Sequence, residues 1–160
     1  MATITLSDKA VHGQRQDLSG PAIEDLISKN LCLIFKRRYL IADSKTELRA
    51  LLINLALEQD LDLILTTGGT GLAPTDVTPE ATLEVVEKRL PGFEQAMLQT
   101  GLTKTPHSII SRAIAGSLGQ CLIINLPGSP KAVRENLAPL VPALKHALNK
   151  LQGDQADCGT

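Results

Sequence analysis

The stretch LILTTGGTGLAPTDVTPEA, Leu63 to Ala81, leaves an apolar run through TTGGTG, passes Pro74 and Asp76, and reaches Pro79 where a helix can begin. A structural turn needs one or two special residues, so a run this long reads as backbone held open for a ligand. The segment Thr67, Gly68, Gly69, Thr70 and Gly71 lets main-chain N–H groups turn toward an anion and approach it closely, which suits phosphate. The pattern is neither a Walker loop, which needs a Lys-Ser/Thr pair, nor GxGxxG. A tight strand-to-helix turn is the alternative reading.

Asp76 tips that balance. A carboxylate in a phosphate loop repels its ligand unless it holds a cation, and Mg²⁺ is bound in this way with substrate phosphates completing its shell. The competing reading is an Asx-type cap. Asp43 ends another apolar run immediately before Ser44, where it either faces the same crevice or is a helix-start acid favoured by the dipole. Pro127, Gly128, Ser129 and Pro130 precede a helix with Lys131 in its first turn. A helix N-terminus plus a lysine is an anion site, set against a solvated surface lysine. Ser7-Asp8 and Ser19-Gly20-Pro21 are further loops at the same edge, each also readable as a plain cap.

His12, His107 and His146 lie far apart and near no Cys or carboxylate at ligand spacing, which argues against zinc. No GxSxG elbow occurs. Ser111-Arg112 reads as the start of a small helical stretch, an N-cap followed by a solvated arginine.

The elements that must position these residues follow from periodicity. Ile4 to Leu6, Leu61 to Leu65, Cys121 to Leu126 and, more weakly, Phe35 to Ile41 read as buried strands. Ser44 to Glu58 places Leu48, Leu51, Leu52, Leu55 and Ala56 on one helical face, with Ser44 and Glu47 as a capping box. Thr78-Pro79 and Ser129-Pro130 each offer a hydroxyl N-cap followed by proline, Pro21 opens Ala22 to Lys29, and Pro142 opens a last helix through Leu151. Strands alternating with helices predict one three-layer α/β/α domain with a mostly parallel sheet, over residues 1–152, and a polar, frayed tail over 153–160. In such sheets the ligand crevice lies beyond the carboxyl ends of the strands, where the glycine loops fall.

Composition limits the partners. With 160 residues, 16 basic and 17 acidic side chains and a net charge of -1, no global field favours nucleic acid or an anionic membrane. Phe35, Tyr39 and Phe93 are the only aromatics, too few for base-stacking platforms. Cys32, Cys121 and Cys158 form no CxxC pair, and the first two sit in apolar runs as small buried hydrophobes, which fits a reducing cytoplasm. No apolar run approaches the roughly 20 residues of a membrane span.

Taken together, TTGGTG at 66–71, DVTPEAT at 76–82, ISR at 110–112, NLPGSPKAVRE at 125–135, SDKAVHG at 7–13 and SGPAI at 19–23 closely resemble the molybdopterin adenylyltransferases, the MogA/MoaB group that includes the gephyrin G domain. The likeness runs from about Ile4 to Leu151. It implies a homotrimer in molybdenum cofactor biosynthesis that converts Mg²⁺-ATP and molybdopterin to adenylyl-molybdopterin and pyrophosphate, with a molybdenum insertase as a partner. By position, Asp43 and Asp76 match two aspartates tied to catalysis and the metal, and Ser111 matches a serine associated with the adenylylated intermediate. The TTGGTG and PGSP loops match segments that bind the pterin and phosphates. Rival readings are a non-catalytic homologue, a trimeric scaffold, and a nucleotide pyrophosphatase domain, whose GGLGPTxDD loop carries two acids where this chain has one.

Overall fold

In a computed structural model that describes residues 1–155, the chain begins with β1 (Ala2–Leu6), a single turn α1 (Asp8–Val11) and α2 (Ser19–Asn30). There follow β2 (Arg37–Ile41), α3 (Lys45–Ile53) widening into a π-turn at Asn54–Glu58, β3 (Leu63–Thr67), α4 (Thr78–Leu83) and β4 (Lys88–Arg89). After α5 (Pro91–Lys104) and a 3-10 turn (Pro106–Ile110), a hairpin of β5 (Ala115–Leu118) and β6 (Cys121–Leu126) leads to α6 (Pro130–Leu137) and α7 (Val141–Leu151). The last five residues of the expected tail, Cys158 among them, lie outside the described residues.

The sheet order is β2-β1-β3-β6-β5-β4; β1 pairs in parallel with β2 and β3, and β3 with β6, while β5 runs antiparallel to both its neighbours. Alternation along the central strands divides the core. Leu63, Leu65, Leu122, Ile124 and Leu126 meet α2, α5, α6 and α7 through residues such as Ile23, Met97, Val133 and Leu144. Ile64, Ile123 and Ile4 face the other way, onto Leu48 and Leu52 of α3, Leu55 of the π-turn and Ala81 of α4. The central strands β3 and β6 thus supply both layers, as a parallel sheet covered on both faces requires. The domain is the expected three-layer α/β/α unit.

Some local expectations change. Cys121 is buried, and burial pushes its thiol up to about 12. Cys32 is instead exposed, because Leu31 to Lys36 is an irregular crossing between α2 and β2 and not a strand. Thr78 does not cap α4: it lies inside the helix, fully buried, and its hydroxyl donates to Gly68 O at 2.8 Å. Ser111 follows the 3-10 turn instead of starting a helix, with an extended backbone. Ser44 and Ser129 are N-caps as read, accepting from Glu47 N at 3.3 Å and Ala132 N at 3.1 Å.

Candidate active site

The parallel strands end in line, with Leu6 opposite Ile41 and Thr67 opposite both Thr5 and Leu126. Each chain segment then leaves the sheet at the same edge. Between β1 and β3 the chain connections diverge to opposite sides, and there a cleft of about 690 Å³ opens. Ser7, Asp8, Asp43, Gly68, Asp76 and Ser129 line it, together with Thr67, Gly69, Gly128 and Pro130.

Two glycines make this geometry. Gly68 has φ +95°, and a Cβ there would lie 2.3 Å from Leu6 O. Gly69 has φ +62°, and its Cβ would meet Thr78 Oγ1 at 2.5 Å. L-residues rarely adopt either backbone and neither site has room for a side chain, so β3 can turn into the cleft against the end of β1 only through glycine. A buried polar relay holds the turn from behind. Asn125 Nδ2 donates to Thr66 Oγ1 at 3.0 Å and Thr82 Oγ1 at 2.9 Å, Thr82 Oγ1 donates to Thr78 O at 2.9 Å, and Thr78 reaches Gly68.

Asp8 and Asp43 clasp one another through the main chain: Asp8 N donates to Asp43 Oδ2 at 3.1 Å, and Asp43 N to Asp8 Oδ1 at 3.0 Å. Asp76 is oriented by Ala73 N, which donates to its Oδ2 at 2.8 Å. Partial burial pushes the Asp43 carboxyl above its ordinary value; the Asp8 N–H opposes this, and the negative charges of Asp8 and Asp76 reinforce it. The cleft therefore holds concentrated negative charge.

This arrangement fits a divalent cation. One oxygen of each of Asp43 and Asp76 takes the N–H described above, which leaves the other for a ligand, and hard oxygen donors are what Mg²⁺ takes. Among the described residues no group of three or more His, Cys, Asp or Glu forms a complete metal cage. Mg²⁺ commonly uses one or two carboxylates and completes its shell from phosphates and water, so a two-carboxylate site suits it.

The remaining expected residues lie elsewhere. Pro127 O accepts from Thr67 Oγ1 at 2.7 Å, so it anchors the cleft wall. Thr70 and Gly71 lie behind the cleft and present their carbonyls to Arg112 N at 3.0 Å and Nε at 2.8 Å. Lys131 does not line the cleft; its side chain is 85 % exposed and 3.9 Å from Glu135. Ser111 opens on a second cavity of about 470 Å³, beyond Arg112, with Glu80 and Glu94. Arg112 itself is bound to the protein instead of solvated. Burial works against it, but the Arg112 hydrogen bond holds the Glu80 carboxyl below its ordinary value.

Lys9 and Arg15 are the cations that line the cleft. Lys9 lies within the SDKAVHG stretch at 7–13, and the sequence signal for Arg15 was the polar run from His12 to Asp17, too short to be an element. Asp17, at the end of that run, caps α2 by accepting from Ser19 N at 2.9 Å and Gly20 N at 3.0 Å.

Comparison with known proteins agrees with this geometry. A family described as "Probable molybdopterin binding domain" matches residues 2–146. A molybdopterin adenylyltransferase of Helicobacter pylori is 41% identical over 155 residues, spanning 96% of this chain and 88% of its own. Gephyrin of Dictyostelium discoideum is 41% identical over 156 residues, 92% of this chain but 22% of its own. The crystal structure of the molybdopterin biosynthesis enzyme MoaB from Thermus thermophilus superimposes with a TM-score of 0.87 at 42% identity, covering 96% of each chain. With its strand-end cleft, its glycine turn and a match over nearly its whole length, the chain belongs to the molybdopterin adenylyltransferase family, the MogA/MoaB group to which gephyrin is related.

Proposed function

We propose that this protein adenylylates molybdopterin at the expense of Mg²⁺-ATP, releasing pyrophosphate. One observation carries the reading: Asp43 and Asp76 line one cleft beside the Gly68-Gly69 turn, each with a carboxylate oxygen left free by the fold. No Ser or Cys nucleophile is required. The terminal phosphate oxygen of molybdopterin bonds to the α-phosphorus of ATP, and the bond from that phosphorus to the β-bridging oxygen breaks.

The protein's part is to position two anions and offset their charge. The Gly68-Gly69 turn brings main chain close to the phosphates. Ser7, Thr67 and Ser129 offer hydroxyls along the rim, and Lys9 and Arg15 supply positive charge near the polyphosphate. Asp43 and Asp76 would hold Mg²⁺, which when bound neutralises the phosphate oxygens as pyrophosphate leaves. Asp8 keeps Asp43 in place through their reciprocal N–H contacts. Ser111 would meet a ligand only where that ligand extends past Asp76 toward the second cavity. A homotrimer, the cytoplasm and a molybdenum insertase partner belong to the same proposal.

The test is to incubate purified protein with molybdopterin, ATP and Mg²⁺ and to look for AMP-linked pterin and pyrophosphate. Both products are expected in equal amounts. Pterin binding with neither product would reduce the protein to a binder.

A further inference from the structure

The loop that carries Asp76 is fastened by one residue, through its main chain at one end and its side chain along the rest. Among the described residues, every hydrogen bond that reaches residues 70–76 from outside the loop comes from Arg112. Its N–H donates to Thr70 O at 3.0 Å, its Nε to Gly71 O at 2.8 Å and its Nη2 to Asp76 O at 2.9 Å, while Nη1 pairs with Glu80 Oε1 in the first turn of α4. These contacts grip both ends of the loop and tie them to the helix that follows. A guanidinium presents its donors in a fixed planar fork, so it can satisfy Gly71 O, Asp76 O and Glu80 together where a lysine ammonium cannot, while the Thr70 contact belongs to the main chain.

The two cleft carboxylates are supported differently. Asp43 sits just past the end of β2 and is clasped to Asp8, which fixes it to the sheet. The carboxylate of Asp76 is tied to Ala73 N, inside its own loop, so that bond sets its orientation within the loop but not the loop's place relative to Asp43. Downstream, Thr78 N donates to Gly69 O at 3.1 Å and closes the base of the loop without reaching its middle. The distance between the carboxylates therefore depends on what holds residues 70–76 against the rest of the domain.

We propose that Arg112 is a positioning residue that holds the Gly71 to Asp76 loop so that Asp76 faces Asp43 across the cleft, and thereby sets the affinity of this pair for a divalent cation without touching cation or substrate. The proposal rests on the cleft being a Mg²⁺-nucleotide site. Groups that orient metal ligands from behind commonly change metal affinity by about 10-fold to 100-fold when removed.

The experiment measures ATP affinity by calorimetry with Mg²⁺ and again with excess EDTA, alongside thermal melts. Wild type should bind ATP more tightly with Mg²⁺. Arg112→Ala should lose about tenfold of the Mg²⁺-dependent affinity and little of the metal-free affinity. Millimolar guanidinium should restore the loss, which a general loss of stability would not allow. Glu80→Gln retains all three contacts to the loop and should stay close to wild type. Arg112→Lys keeps the charge without the fork, should lose several-fold by the same reasoning, and serves if Arg112→Ala does not fold. An Arg112 variant that responds to Mg²⁺ as wild type does, or a Glu80→Gln as impaired as Arg112→Ala, overturns the proposal alone. A wild type whose ATP affinity ignores Mg²⁺ overturns the underlying reading and this proposal with it.

Discussion

Asp43 is held at a cost to the fold, and that cost can be measured. Its folded carboxyl titrates above the ordinary value through burial, with like charge from Asp8 and Asp76 adding to the effect. A raised carboxyl binds its proton more tightly folded than unfolded, so stability falls as pH rises from the unfolded value through the folded one and stays lower beyond it. Asp43→Asn should therefore raise the melting temperature of the ligand-free protein at pH 7. An asparagine oxygen can still accept the Asp8 N–H. The gain should vanish below about pH 4, where the wild-type side chain is protonated in both states. Melts of both proteins across pH check this, and a gain that persists in acid would show that packing, not charge, was responsible. Asp76→Asn keeps the acceptor for Ala73 N, so fold and pterin affinity should survive while adenylylation falls on the order of a hundredfold, read in the pyrophosphate assay. Lys131 calls for the opposite expectation. Exposed and not among the residues lining the cleft, it should leave nucleotide affinity within about twofold when changed to Ala, whereas Arg15→Ala should weaken ATP binding by about tenfold, one charge-assisted contact.

The elements carrying the site are joined through Asn125, which is fully buried on β6 and also accepts from Ile114 N at 3.2 Å. Asn125→Leu would take the partner from that N–H and from the Thr66 hydroxyl, while Thr82 keeps its bond to Thr78 O, each unsatisfied group costing about 1–3 kcal/mol. We expect a loss of about 2 kcal/mol or more in urea unfolding, and a disordered Gly68 turn as a weaker ATP affinity at temperatures where the protein is still folded. The sequence contained most of these elements because alternation and proline-capped starts are local signals: β6 and the apolar faces of α3 and α7 lie where periodicity puts them. It hid others for physical reasons. β4 is two exposed residues, β5 reads AGSL without a branched side chain at Cβ, and α5 begins with Pro-Gly, which looks like a turn until Met97 and Gly101 pack inward. At the site, Asp43, Asp76 and the glycines could be read from type and spacing. The roles of Thr78, Asn125 and Arg112 could not, since each depends on a partner brought close only by the fold.

At the scale of the whole molecule, the apolar face of α7 is spent inside the domain through Leu144 and Leu148. A trimer must therefore be built from other surfaces. Leu72 is 65 % exposed and Ile109 71 % exposed, on the two segments joined by the Thr70 to Arg112 hydrogen bond. Exposed aliphatics on adjoining segments are candidates for an association surface. Light scattering at micromolar concentration should give three times the chain mass, and Leu72→Asp with Ile109→Asp should lower it; a monomeric wild type would remove the prediction. The relay from Asn125 through Thr82 and Thr78 to Gly68 has a further consequence for anyone who would transplant this chemistry. The TTGGTG turn is not a detachable cassette. Its shape is set by a hydroxyl ten residues later in the chain and by an amide from a strand that enters much later still, and Gly68 sits where only the end of another strand leaves it room. A host scaffold given the loop alone would receive its letters without its conformation; the smallest portable unit is β1, β3, α4 and β6 together, which includes three of the sheet's six strands.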